Sequence, residues 1–279
     1  MSEHAFAMPP TSAPTLLRPG DPPAWTVERL QGKAPVLVVC DHASNAIPAS
    51  LDALGLPAEA LERHIAWDIG AAPLSRALAE RLDAQLVLCG YSRLVVDCNR
   101  HPEDPTAFLA ESDGQVVPGN AGLTSAAREL RIEAVFRPYH DQIEARLGQI
   151  RADGVIPALV SVHSFTPRLN GTERPWHVGI LWDADPRIPV PLLDALARYP
   201  ELRVGDNEPY SGRHPSDYTI DRHAERAGLP HVCLEIRQDL LGDDRGVERW
   251  ADILSDALRP TLADPALYRL REPPVGLTR

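Results

Sequence analysis

Ala158-Leu159-Val160-Ser161-Val162-His163-Ser164-Phe165 decides the reading of this 279-residue chain. The run is short, apolar and rich in branched side chains, as in a strand buried within a sheet. It nevertheless carries an imidazole near its end. Two distant stretches repeat the arrangement: Val36-Leu37-Val38-Val39 runs into Cys40-Asp41-His42, and His231-Val232-Cys233-Leu234-Glu235-Ile236 holds a carboxylate. In a parallel α/β sheet such strand ends converge on one edge, where ligands bind. His42, His163 and Glu235 are therefore expected to meet there. Two histidines with carboxylates form the donor set of a mononuclear zinc hydrolase.

Working outward, strand-like and helix-like runs alternate. Leu74, Leu78 and Leu82 fall at helical spacing within 69–82, and Gln85–Cys89 and Leu94–Asp97 read as strands. Ile132, Phe136, Tyr139, Ile143, Leu147 and Ile150 form a stripe that predicts a helix over 124–151, kinked or split by Pro138. A strand is expected in 177–182, helices near 189–198, 216–227 and 245–258, and a long loop between 101 and 123. This alternation predicts a single α/β domain with a mixed, largely parallel sheet and helices on both faces. Residues 1–24 hold Pro9, Pro10, Pro14, Pro19, Pro22 and Pro23 and read as an irregular arm ahead of a domain spanning 25–279.

Composition narrows the function classes. Apolar residues make up 44% of the chain and charged ones 24%, as in ordinary globular proteins. The formal charge of −11 argues against nucleic acid or an anionic membrane surface as the main partner. It leaves room for a small anionic substrate, because one arginine binds a carboxylate whatever the overall charge. Cys40, Cys89, Cys98 and Cys233 lie in or beside apolar runs without CxxC spacing, which predicts buried, reduced thiols. With neither a membrane-length apolar run nor a secretory signal pattern, a cytoplasmic location is expected. Oligomeric state leaves no mark on the sequence.

Asp97-Cys98-Asn99-Arg100 adds a second element. Asp97 suits a carboxylate that accepts from a metal-bound histidine and fixes its tautomer. Arg100 offers a planar fork for a substrate carboxylate and Asn99 a further donor, although a loop-closing salt bridge explains the same residues. Arg93, ahead of an apolar run, reads as a second substrate-binding cation or a strand-end ion pair. Tyr210, in the turn-rich Asn207-Glu208-Pro209-Tyr210-Ser211-Gly212, suits a lid, as does Tyr218. Glu235 reads as a general base or as the ion-pair partner of a nearby arginine such as Arg237. His223 and His231 read as structural.

Several linked motifs resemble the N-formylglutamate amidohydrolase family. They are Val38-Val39-Cys40-Asp41-His42-Ala43-Ser44-Asn45-Ala46-Ile47-Pro48, His64-Ile65-Ala66-Trp67-Asp68-Ile69-Gly70-Ala71, Tyr91-Ser92-Arg93-Leu94-Val95-Val96-Asp97-Cys98-Asn99-Arg100, the 207–212 segment and Leu234-Glu235-Ile236-Arg237. The resemblance covers about 30–260. It implies a fold similar to zinc exopeptidases, within the phosphorylase/hydrolase-like folds. It also implies His42 and His163 as zinc ligands with Asp97 behind them, Arg100 and Asn99 as carboxylate binders, and Glu235 as general base.

One departure stands out. The related zinc carboxypeptidases use His-x-x-Glu, whereas this chain has His42-Ala43-Ser44-Asn45. Asparagine is a poor zinc ligand, so Asp68 is the expected third ligand, with a helix N-cap as its alternative role. The reaction implied is zinc-dependent hydrolysis of an N-acyl amino acid, foremost N-formyl-L-glutamate to formate and L-glutamate. Alternatives are another N-acyl amino acid deacylase, a carboxypeptidase-like peptidase, or a metal-free relative that binds an amino acid without turnover.

Overall fold

The computed structural model describes residues 15–215 and 217–272. Seven strands form one sheet: β1 Trp25–Glu28, β2 Val36–Cys40, β3 Gln85–Cys89, β4 Ala158–Phe165, β5 Val178–Leu181, β6 Val204–Asp206 and β7 His231–Arg237. Their order is β1-β3-β2-β4-β7-β5-β6. The central four, β3, β2, β4 and β7, are mutually parallel. β1 runs antiparallel to β3, and β5 antiparallel to β7. The expected mixed, largely parallel sheet is thus found.

Period-two alternation sends each central strand's side chains to two covered faces. Val36, Val38, Val160, Val162, Leu234 and Ile236 pack with helices α1 Ala71–Leu82, α4 Pro189–Leu196 and α5 Asp244–Leu262. Leu37, Val39, Leu159 and Cys233 face the opposite way, toward α3 Arg137–Ala152, which follows α2 Ser125–Arg131. Continuing this second alternation toward the carboxyl ends gives Asp41 on β2's path, Ser161 and His163 on β4, and Glu235 on β7. The face that is apolar at depth turns polar at the sheet edge.

The helix expected over 124–151 is present, with Thr124 as its N-cap: its side chain accepts from Ala127 N at 3.2 Å. Ahead of Pro138 the helix widens into a π-turn at Ile132–Phe136, the form the interruption takes. Leu94–Asp97 is not a strand, contrary to expectation. It is irregular backbone, buried, whose carbonyls are met by side chains: Asn120 Nδ2 donates to Leu94 O at 2.9 Å and Arg131 Nη1 to Val95 O at 3.1 Å. The edge strand β1 is an addition to the sequence reading, and its half-exposed pattern gives little apolar signal. Of the proline-rich arm, residues 1–14 lie outside the described residues. Further along, Leu16 is buried and Tyr91 Oη donates to Pro22 O at 2.5 Å. All four cysteines are free and buried.

Candidate active site

A cavity of about 240 Å³ opens at the carboxyl edge of the sheet. Its wall includes His42, Asp68, Arg93, Asn99, Arg100, His163, Tyr210 and Glu235, so eight of the ten site candidates read from sequence meet in one place. Of the other two, Asp97 stands behind His42 and Tyr218 lies elsewhere.

His42 lies two residues past the end of β2, where its carbonyl accepts from Asp68 N, and His163 lies within β4 near its end, held by the sheet ladder. Asp68 arrives from the turn before α1. That turn is anchored by Asp68 N donating to His42 O at 3.0 Å, and Gly70 completes it with a left-handed φ of 81°. Gly70, not Asp68, occupies the N-cap position of α1. The Asp68 carboxylate instead faces both imidazoles: Oδ2 lies 2.8 Å from His163 Nδ1 and 3.3 Å from His42 Nδ1. Ser164 N also donates to this oxygen, at 3.2 Å.

The remote ring nitrogens are held as well. His42 Nε2–H donates to Asp97 Oδ1 at 2.8 Å, and His163 Nε2–H to Asp41 Oδ2 at 3.0 Å. Each imidazole is backed by its own buried carboxylate and presents Nδ1 to Asp68. Two nitrogens and one oxygen, all within 4.8 Å of one another, are a donor set suited to a divalent metal. Burial favours neutral rings, but Asp41 and Asp68 outweigh it and hold the His163 pKa well above the ordinary value. Asn45 turns elsewhere, donating to Leu61 O at 3.0 Å and Glu62 Oε1 at 3.3 Å.

Asp41 was not singled out from sequence, although its neighbour His42 was. The signal was available: Asp41 shares the sheet face of Leu37 and Val39, one strand from Ser161 and His163. It is densely bonded, accepting from Tyr139 Oη and Thr219 Oγ1, each at 2.8 Å.

Arg93 lines the cavity and clamps the carboxylates behind it. Its Nε and Nη2 donate to Asp97 Oδ2 at 3.1 and 2.6 Å, and Nη1 lies 3.6 Å from Asp68. Asn99 Oδ1 accepts from Thr219 N at 2.9 Å, which leaves its amide NH₂ as the donor on the cavity side. Tyr210 is fixed by Arg174, whose Nη1 donates to Tyr210 Oη at 2.8 Å. The loop carrying Tyr210 approaches β5 closely because position 179 is glycine: a Cβ there would lie 2.0 Å from Glu208 O. Tyr218 packs among Phe136, His140 and His101, away from this cavity.

Glu235 sits beside His163 in the β4–β7 register. It is 7% exposed, and its Oε2 has no hydrogen-bond partner. Arg237, the arginine suggested as its ion-pair partner, is instead engaged by Asp239 at 2.8 Å. Burial pushes the Glu235 carboxyl up to about 7. His231 faces Glu225 at 2.9 Å and His223 pairs with His140 at 2.9 Å, both in structural settings.

The family model for N-formylglutamate amidohydrolase matches residues 34–242. The chain belongs to the N-formylglutamate amidohydrolase family. A solved gene product from Agrobacterium tumefaciens is 36% identical, with a TM-score of 0.86 over 89% of this chain and 98% of that one. The N-formylglutamate amidohydrolase of Ralstonia eutropha shares the fold at 20% identity, TM-score 0.59, over 85% of this chain and 97% of that one. An N-formylglutamate deformylase of Pseudomonas aeruginosa is 29% identical over 145 residues, 48% of this chain and 53% of that protein, so the match spans about half of that relative. In this family member the matched region contains every cavity residue named above. Among the described residues no helix is long and apolar enough to cross a membrane.

Proposed function

We propose that this protein is a zinc-dependent amidohydrolase of N-formyl amino acids. Its reference reaction is N-formyl-L-glutamate plus water to formate plus L-glutamate. The observation that carries this reading is Glu235: a buried carboxylate with a bare oxygen, beside a three-donor metal cluster, in a cavity that also holds Arg100. Family membership supports the reaction class.

His42 Nδ1, Asp68 and His163 Nδ1 would hold the zinc. When bound, it supplies Lewis acidity toward the acyl carbonyl and lowers the pKa of a water molecule. Asp97 and Asp41 keep the two Nε2 atoms protonated and the Nδ1 lone pairs directed at the cluster. Arg93 holds Asp97 in place. Arg100 and the Asn99 amide bind the substrate carboxylate and align the amide bond with Glu235. Glu235 accepts the proton of the attacking water and returns it to the departing nitrogen as the C–N bond breaks. Its location in the protein interior suits both steps, since a carboxyl that titrates near neutrality exchanges protons readily in either direction.

The test is release of formate from N-formyl-L-glutamate by zinc-loaded protein, with Glu235→Gln as the matched control. Turnover by the wild type and its loss in the variant are expected. A wild type that binds zinc yet releases no formate from any N-formyl amino acid overturns the reading.

A further inference from the structure

N-formyl-L-glutamate carries two carboxylates, and Arg100 is the partner of one. The second brings negative charge into a cavity that already holds Asp68 and Glu235. Arg93 does not meet it, since its Nε and Nη2 are committed to Asp97. A further cation is needed, and Arg174 stands where it can supply one. This residue follows the hairpin Arg168–Leu169/Thr172–Glu173, and its N donates to Pro167 O at 2.8 Å across the hairpin base. It is 8% exposed. A guanidinium enclosed to that degree is normally matched by an acid. Among the described residues Arg174 has no such partner: its side chain's hydrogen bond is from Nη1 to Tyr210 Oη, at 2.8 Å. The guanidinium rests instead on aromatic rings, 4.5 Å from the centroid of Tyr210 and 5.8 Å from that of Phe165.

These contacts locate the charge. Phe165 follows His163 by two residues on β4, so it lies on the same face roughly 6.6 Å further toward the carboxyl edge. Arg174 is thus placed outward of the metal cluster. Tyr210 links it to the cavity wall. Because the Tyr210 oxygen accepts from Arg174, its own proton is left to donate, polarised by the guanidinium behind it. Tyr210 as a whole is 40% exposed, yet burial around its hydroxyl, and next the Glu235 charge, raise its pKa. The phenol is therefore protonated near neutrality and lies in the field of Glu235.

We infer that Arg174 and Tyr210 form the subsite for the distal carboxylate of the substrate, and so select N-formyl amino acids with an acidic side chain over their neutral isosteres. The inference rests on the proposed reaction and assigns the residues that make it glutamate-selective. A carboxylate accepts from the Tyr210 O–H and from the remaining N–H groups of a cation held by stacking rather than by an acid. A carboxamide of the same shape forms no ion pair and leaves the enclosed guanidinium unmatched. Arg100 takes the α-carboxylate and Arg174 the distal one.

The experiment measures kcat/KM for N-formyl-L-glutamate and N-formyl-L-glutamine with zinc-loaded wild type, Arg174→Met and Tyr210→Phe. Methionine keeps an apolar stem against Phe165 and Tyr210, and phenylalanine keeps the ring, so both variants should fold, which circular dichroism checks. Wild type should favour the glutamate substrate by at least about thirtyfold. Arg174→Met should cut that ratio by at least about tenfold, and Tyr210→Phe should lower it in the same direction. A residue that merely braces the Tyr210 loop would slow both substrates alike. Equal rates on the two substrates in wild type, or a ratio left unchanged by either variant, overturn the inference and leave the reaction standing. If wild type releases formate from neither substrate, the proposed reaction fails. Calorimetric binding of free L-glutamate and L-glutamine then tests the subsite alone. Tighter glutamate binding that disappears in Arg174→Met supports it; equal binding in wild type, or a preference that survives in the variant, overturns it.

Discussion

Asp41 holds His163 from behind, its Oδ2 3.0 Å from Nε2. Asp97 does the same for His42 at 2.8 Å. The two pairs make the cluster symmetrical: each ring is oriented by a buried acid on the side away from the cavity. An amide in place of the acid keeps the shape and removes the charge. Asp41→Asn should therefore lower zinc affinity by about 10–100-fold with the fold preserved. Chelator competition measures this, and unchanged affinity would remove Asp41 from the support of His163.

The third ligand is tested by a contrast. Asp68→Ala should lose most of the bound zinc, because the converging oxygen disappears from between two imidazoles. Asn45→Ala should retain it, since that amide is engaged with Leu61 and Glu62. Elemental analysis of both variants, alongside His163→Ala, separates these outcomes. Zinc lost from Asn45→Ala and kept by Asp68→Ala would reverse the assignment.

Glu235→Gln should keep its zinc and lose about 10²–10⁴ in kcat, the usual range for general-base catalysis. The pH dependence follows from burial, which pushes the carboxyl up to about 7 in the metal-free protein. The base must be ionised, so wild-type activity should rise with pH along an acid limb. A bound cation draws that limb below 7, and the variant should lack it. In the metal-free protein the folded-state pKa lies above the unfolded one. Stability from this group is then full below the unfolded pKa and is lost as pH rises toward 7. Denaturant midpoints of metal-free wild type and Glu235→Gln should accordingly agree more closely at pH 4.5 than at pH 8, where the variant is the more stable.

Arg100→Ala should cost roughly 2–5 kcal/mol in kcat/KM on substrates with a free α-carboxylate. Substrates amidated at that position should react poorly with the wild type and change little with the mutation. Equal losses on both would assign Arg100 a structural role.

Much of this site was legible because its residues end unbroken apolar runs. His42, His163 and Glu235 could be placed at one sheet edge from hydrophobicity and parallel order, whereas Asp68 was reached only through the family resemblance, as the substitute for Asn45 in a motif that the resemblance supplied. Asp41 went unread beside a more conspicuous histidine, although its alternation with Leu37 and Val39 indicated its face. Arg174 went unread because the turn-rich segment before it has no periodicity to fix where a side chain points. Leu94–Asp97 was misread for a different reason. Its residues suit a strand, but Asn120 and Arg131, distant in sequence, supply hydrogen bonds that a neighbouring strand would otherwise provide, and local propensity carries no trace of them.

Arg131 has a wider influence than its position suggests. Its guanidinium is 3% exposed and donates to Val95 O, to Gly119 O at 2.9 Å and to Asn120 Oδ1 at 2.6 Å. It thereby braces the segment that delivers Asp97, Asn99 and Arg100. Lysine, with one compact head group, cannot reproduce that three-way brace. Changes that disable the cavity are thus to be sought deep in the domain as well as around the cavity, at a buried residue that is not part of its wall.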